Sequence, residues 1–171
     1  MSLATKQVMM VDENDNDLEV VSRERTHKEG LLHRIAVVYL VRDNGDVLVQ
    51  ERMSGRLDHS AAGHVDLGED YFTAAKRELK EELGVDCELV ELGKIMSDEV
   101  EPEAGENRIR HFSMVYVANC EPGELVKDEV KSVFLANPQE VFEQMKNDVG
   151  NYKFCGGFKA SLKFYLDKKL V

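Results

Sequence analysis

Residues 31–53 read LLHRIAVVYLVRDNGDVLVQERM, and no other stretch limits the possible folds as strongly. A long apolar run is followed by Asn44-Gly45 and then by a second apolar run. Asn-Gly between two such runs is the strongest short-range hairpin signal, because the tight turn that joins antiparallel strands needs φ > 0 at both central residues. The segment therefore predicts a strand, a turn and a second strand paired with the first. A smaller hairpin is expected over the first 22 residues, where Val8–Val11 and Leu18–Val21 flank DENDND, whose Asp and Asn residues suit a turn. Between the two lies RERTHKEG, which is polar and ends at Gly30.

From Asp70 to Leu83 the period changes. Phe72, Ala75, Leu79 and Leu83 gather on one side of a helix at ~100° per residue, and Gly84 stands where a helix C-cap glycine belongs. Strands are expected at 88–95, 108–118 and 130–135, separated by the acidic loop DEVEPEAGEN and by EPGELVKDE. Pro138 opens a helix to about Lys146, and Phe158, Leu162, Tyr165 and Leu166 mark a last one. Strands around one central helix, with further helices at the end, predict an α/β domain with a mixed sheet. The 171 residues suffice for one core. One domain is expected, with residues 1–30 as a hairpin extension and 31–171 as the core.

The formal charge of −11 argues against a partner such as nucleic acid or anionic lipid, which requires a basic face. No apolar run approaches the ~18 residues of a membrane span, and MSLATKQVMM lacks the apolar region of a secretory signal. A cytoplasmic location is the expectation. Cys87, Cys120 and Cys155 are odd in number and form no C-x-x-C pair, so reduced cysteines are expected rather than a disulfide framework or a zinc cage.

Glu78, Glu81 and Glu82 fall within five residues of the predicted helix. Like charges three and four apart repel by a few tenths of a kcal/mol per pair. Taken alone, such a run reads as a solvated face of an acidic protein. On the helical step, however, Glu82, Glu78 and Glu81 form one flank at roughly 280°, 240° and 180° from the core center. Glu82 lies nearest the core boundary, where an unpaired carboxylate loses hydration and a cation would restore the balance. Magnesium suits such a place, since it accepts a few carboxylates and leaves room for phosphate oxygens.

The flanking residues carry the reading further. Gly63, Glu69, Arg77, Glu78, Leu79, Glu81, Glu82, Gly84 and Val85 fall at the spacing G-x5-E-x7-R-E-U-x-E-E-x-G-U, with U apolar. This resembles the Nudix box at every defined position, and at average residue frequencies a chance match is on the order of 10⁻¹⁰ per register. The resemblance implies a Nudix α/β/α sandwich with a mixed sheet, and hydrolysis of a small diphosphate compound with Mg²⁺ or Mn²⁺. It implies Glu78, Glu81 and Glu82 as metal ligands, joined by the carbonyl near Gly63. Glu69 and Arg77 would hold the loop to the helix, with Arg77 orienting Glu78, and Gly84 would complete the motif. The general base would be Glu78 or an acid from a later loop: Glu99, Glu101, Glu103, Glu106, Glu124 or Glu129. Glu129, just before an apolar strand, is the preferred one of these later acids and is also expected to contact substrate. Arg52 would meet substrate phosphate, helped by Arg56, Arg108 and Arg110. The aromatic and Pro-Gly elements that usually precede the box are absent from MSGRLDHSAAGH. A homodimer is compatible with the hairpin extension.

LLHRIAVVYLV and AAGHVDLGE also resemble isopentenyl-diphosphate isomerase, a Nudix-fold enzyme whose histidines hold a divalent metal. His33 and His64 match its positions, and His27 is one residue off. Ala62 stands where that enzyme needs its thiol, and Ile109 and His111 stand near its paired metal glutamates. A hydrolase on an isomerase-like branch is the expectation, with His64 touching substrate or orienting a ligand. An isomerase and a non-catalytic ligand sensor are the alternatives.

Overall fold

The computed structural model describes residues 6–101, 107–126, 128–150 and 152–169, with the backbone alone at Glu101 and Asn107. Its strands are β1 (Gln7–Val11), β2 (Asp17–Ser22), β3 (His33–Leu40), β4 (Val47–Arg52), β5 (Leu57–Asp58), β6 (Ala61–His64), β7 (Val90–Glu101), β8 (Asn107–Ala118) and β9 (Val130–Ala136). Its helices are α1 (Arg23–Glu29), α2 (Tyr71–Leu83), α3 (Pro138–Asn147) and α4 (Phe158–Lys169). A four-stranded sheet runs β6-β3-β8-β7 and a three-stranded sheet β5-β4-β9. In the larger sheet β3 is parallel to β8, while the β3–β6 and β7–β8 pairs are antiparallel, so it is mixed.

β3 explains the layering. Ile35, Val37 and Tyr39 enter one core with Val47 and Val49 of β4, Val141 and Met145 of α3, and Phe158, Leu162 and Tyr165 of α4. Ala36, Val38 and Leu40, on the alternate face, enter a second core with Ala74, Ala75, Leu79 and Leu83 of α2. Helices thus cover both sides, giving the α/β/α architecture.

The hairpin expected over 31–53 is corrected. The turn forms, with Arg42 N–H donating to Asp46 O at 2.8 Å and Gly45 N–H to Arg42 O at 2.9 Å. Beyond the Val41–Val47 bridge, however, β3 and β4 separate into different sheets. The Asn-Gly signal is local, whereas each apolar run finds better burial between layers than beside the other. Buried Ser60 occupies the fork: its Oγ accepts from Leu40 N–H at 2.8 Å and donates to Leu48 O at 2.5 Å.

The N-terminal hairpin forms as β1 and β2. It lies on the larger sheet through Val11, Leu32 and Phe112, and Arg34 pairs with Asp15 and Asp17 at 2.6 Å each. The polar RERTHKEG forms α1, with Ser22 as N-cap and Gly30 as C-cap at φ 63°. The acidic stretch from Asp98 to Glu101 continues β7 instead of starting a loop, and residues 102–106 lie outside the described residues. Phe72, expected in the core, is 49% exposed, and Ala74 takes its place on the buried face of α2. The expectation of reduced cysteines is also corrected: Cys87, just past α2, pairs with Cys120 at the end of β8 in a disulfide, with Cα atoms 6.5 Å apart. The residues are 33 apart in sequence, and only the fold brings them together. Cys155 is free. No helix of the described residues is long and apolar enough to cross a membrane.

Candidate active site

Asp70 caps the start of α2 by accepting from Thr73 N–H at 2.7 Å, and Gly84 ends it at φ 62°. Between these stops the helix turns Glu78 and Glu82 inward, at 7% and 2% exposure, and leaves Glu81 at the rim. β6 runs beside this face, so close that a Cβ on Gly63 would overlap the Glu78 carboxylate. Arg77 locks the same region. Its guanidinium donates to both Glu69 oxygens at 2.7 and 2.9 Å, to Glu78 Oε1 at 2.5 Å, to Glu81 Oε2 at 3.2 Å and to the His64 carbonyl at 2.9 Å. Glu69 in turn accepts from Asp66 N–H at 3.0 Å, fixing the loop between β6 and α2.

Glu82 Oε2 accepts from Ala62 N–H at 3.1 Å and Gln50 Nε2 at 3.2 Å. Burial, with the charges of Asp58 and Glu78 nearby, raises its pKa to about 8. Burial also raises Glu78, against the pull of Arg77. Arg77 offsets part of the charge of Glu78, and the oxygens of the two buried carboxylates suit a hard cation such as magnesium.

These groups line one cavity of about 720 Å³, together with Gly63, His64, Arg52, Arg56, Asp128 and Glu129. Arg52 ends β4 and pairs with Asp58 at 2.8 Å, while Arg56 donates to Phe154 O at 2.5 Å. Glu129 is exposed at the rim beside Asp128, which no spacing rule singled out. The other loop acids fall elsewhere. Glu99 accepts from Gly157 N–H at 3.1 Å, and Glu124 lies with its backbone against Gly84. Glu103, Glu106 and the side chain of Glu101 lie outside the described residues. Arg108 and Arg110 both pair with Asp98 and do not line the cavity.

The same cavity is lined by His27, His33 and His64, which bring ring nitrogens within 4.8 Å of one another. His33 donates from Nδ1 to Leu31 O at 2.8 Å, which leaves buried Nε2 without a partner and aims its lone pair at the cluster. His111 joins edge-on to His33, with ring centroids 5.8 Å apart. Burial pushes His33 down to about 4 and His111 to about 3, so both rings are neutral at pH 7. Such an all-nitrogen set suits a borderline cation such as Zn²⁺ better than Mg²⁺.

Known proteins resemble this chain in sequence and fold. The family model described as NUDIX domain matches residues 31–155. An uncharacterized Nudix hydrolase of Pseudomonas aeruginosa is 31% identical over 167 residues, covering 94% of this chain and 93% of that one. An isopentenyl-diphosphate Delta-isomerase of Serratia proteamaculans is 31% identical over 116 residues, which is 64% of this chain and 64% of the isomerase's own length. The crystal structure of a Deinococcus radiodurans protein, 17% identical, shares the fold with a TM-score of 0.71 over 92% of this chain and 98% of that one.

Proposed function

This chain belongs to the NUDIX domain family, and from that premise we propose that it is a metal-dependent hydrolase of a diphosphate linkage in a nucleoside diphosphate derivative or related organic diphosphate. The observation that carries the reading is the pair of buried carboxylates, Glu78 and Glu82, facing a cavity that also holds Arg52 and Arg56. Glu78, Glu81 and Glu82, with the carbonyl near Gly63, would hold Mg²⁺ or Mn²⁺. When bound, the cation neutralizes phosphate oxygens and acidifies an attacking water. Arg77 keeps Glu78 in place through the hydrogen bonds it shares with Glu69. Arg52 meets the phosphate from β4, and His64 and Glu129 approach substrate from the cavity lining. Glu129 or Glu78 takes the proton of the attacking water.

The test is turnover of a panel of nucleotide, sugar and other organic diphosphates with Mg²⁺. Glu78→Gln and Glu82→Gln are each expected to lower the rate at least a hundredfold, a loss of ~2.7 kcal/mol of transition-state stabilization. Native-level turnover in both variants would refute the assignment.

The histidine cluster favors a second reading, an isomerase acting on isopentenyl diphosphate. Against it, Ala62 supplies no thiol. Cys155 does line the cavity, but burial and the charge of Asp58 push its thiol far above the usual range. Double-bond migration in isopentenyl diphosphate, followed by NMR, separates the two. A third reading, a ligand sensor, predicts tight diphosphate binding with no product across the whole panel.

A further inference from the structure

A row of buried polar groups leads from the core to the cavity. Asp58, 6% exposed, accepts at both oxygens and also lies in hydrogen-bond contact with the Cys155 thiol. Oδ2 accepts from Arg52 Nη1 at 2.8 Å, while Oδ1 accepts from His59 Nδ1 at 2.6 Å and from the His59 backbone N–H at 2.9 Å. On the far side of the ring, His59 Nε2 lies 2.6 Å from Ser161 Oγ in α4, and that hydroxyl lies 2.8 Å from Tyr39 Oη in β3. His59, Ser161 and Tyr39 are all but inaccessible to solvent.

Both ring nitrogens of His59 are engaged, so the imidazole has no lone pair or proton left for a ligand although it borders the cavity. Its geometry instead fixes Asp58, which has one oxygen left for Arg52. Burial by itself would raise the Asp58 pKa, but the His59 hydrogen bond, followed by the charges of His59 and Arg52, holds it well below the usual carboxylate range. A permanently charged carboxylate gripping one arm of a guanidinium leaves the rest of the planar fork in one orientation. An arginine held this way loses little further freedom when it meets a phosphate.

We propose that Asp58 is the positioning residue for Arg52, anchored through His59 and Ser161 to α4, and that this row fixes the N–H groups that receive a substrate phosphate. The proposal rests on the diphosphate reading of the cavity. It concerns residues with no place in the glutamate motif.

The test is a double-mutant cycle over Arg52→Gln and Asp58→Asn. It reads affinity for the nonhydrolyzable imidodiphosphate with Mg²⁺ by calorimetry, and KM and kcat on any diphosphate the panel turns over. Asp58→Asn retains volume and one acceptor. It is expected to weaken imidodiphosphate about tenfold, the scale of one charge-assisted hydrogen bond, and to raise KM with kcat little changed. In the Arg52→Gln background the same change is expected to cost nothing. Equal losses with and without Arg52, or no loss in Asp58→Asn, would overturn the proposal.

An NMR readout covers the case in which a variant unfolds. The His59 Nδ1 proton, shared with a carboxylate, is expected far downfield in the native protein. It should persist in Arg52→Gln and move upfield in Asp58→Asn, where a neutral amide oxygen replaces the carboxylate, and its absence from the native spectrum counts against the proposal. Tight imidodiphosphate binding with no turnover of any diphosphate in the panel would defeat the hydrolase reading yet leave the binding cycle legible. Binding with no coupling would defeat only the positioning role, and native protein that binds no imidodiphosphate would defeat both.

Discussion

Glu82 shows what a single residue contributes to this cavity. It is 2% exposed, and its pKa is raised to about 8, first by burial and then by Asp58 and Glu78. The folded-state value lies above that of an unfolded glutamate, near 4.3. Between the two the folded protein binds more protons than the unfolded one, so stability falls as pH rises through that window and levels off above about 8. Below about 6.5 the neutral buried rings of His33 and His111 oppose this trend, so chemical denaturation of metal-free protein should show the slope between pH 7 and 8, and Glu82→Gln should flatten it. Gly63 gives a second test at this scale. A methyl group there would displace the Glu78 carboxylate, whereas the β6 backbone accepts alanine. Gly63→Ala is therefore expected to reduce turnover about a hundredfold with little change in melting temperature. The box residues were legible because their spacing on a helix is itself a geometry. Asp58, His59 and Asp128 were not, because they reach the cavity from strands and loops whose separation in sequence says nothing about separation in space, and neither was Gln50, which reaches Glu82 from β4.

Among the elements, α2 was legible almost to the residue, since its period and its Gly84 stop are local signals, and Asp70, expected as its first residue, is its N-cap. Gly84 also abuts the Glu124 backbone, and Gly123 N–H donates to Leu83 O at 2.8 Å, so the helix end and the loop before β9 are closely packed. Gly84→Ala strains a left-handed residue and crowds that backbone. It is expected to cost at least ~1 kcal/mol in chemical denaturation. The fork of β3 and β4 was not legible: an Asn-Gly turn fixes the reversal of the chain but not the partner of each strand, which depends on helices far along the chain. α1 was missed because it has no apolar stripe. It stands on the Ser22 and Gly30 caps and on one buried residue, Thr26.

For the molecule as a whole, two conditions should move stability. The Cys87–Cys120 bridge closes a loop over a separation of 33 residues, for which chain entropy gives about 3–4 kcal/mol. Reductant should lower the melting temperature of the native protein and leave Cys87→Ser unchanged. Mg²⁺ at a hundred times its Kd should add ~2.7 kcal/mol to the native protein and almost nothing to Glu78→Gln/Glu82→Gln, as a thermal shift series would report. β3 ties such effects together, because its alternating side chains supply both apolar layers. Loosening α3 and α4 on one side withdraws support from α2 on the other, so the carboxylates have no shelter that outlives the opposite layer. Hydrogen exchange should find both helical layers opening at a common free energy, with the amides of this shared partition among the last to trade their protons.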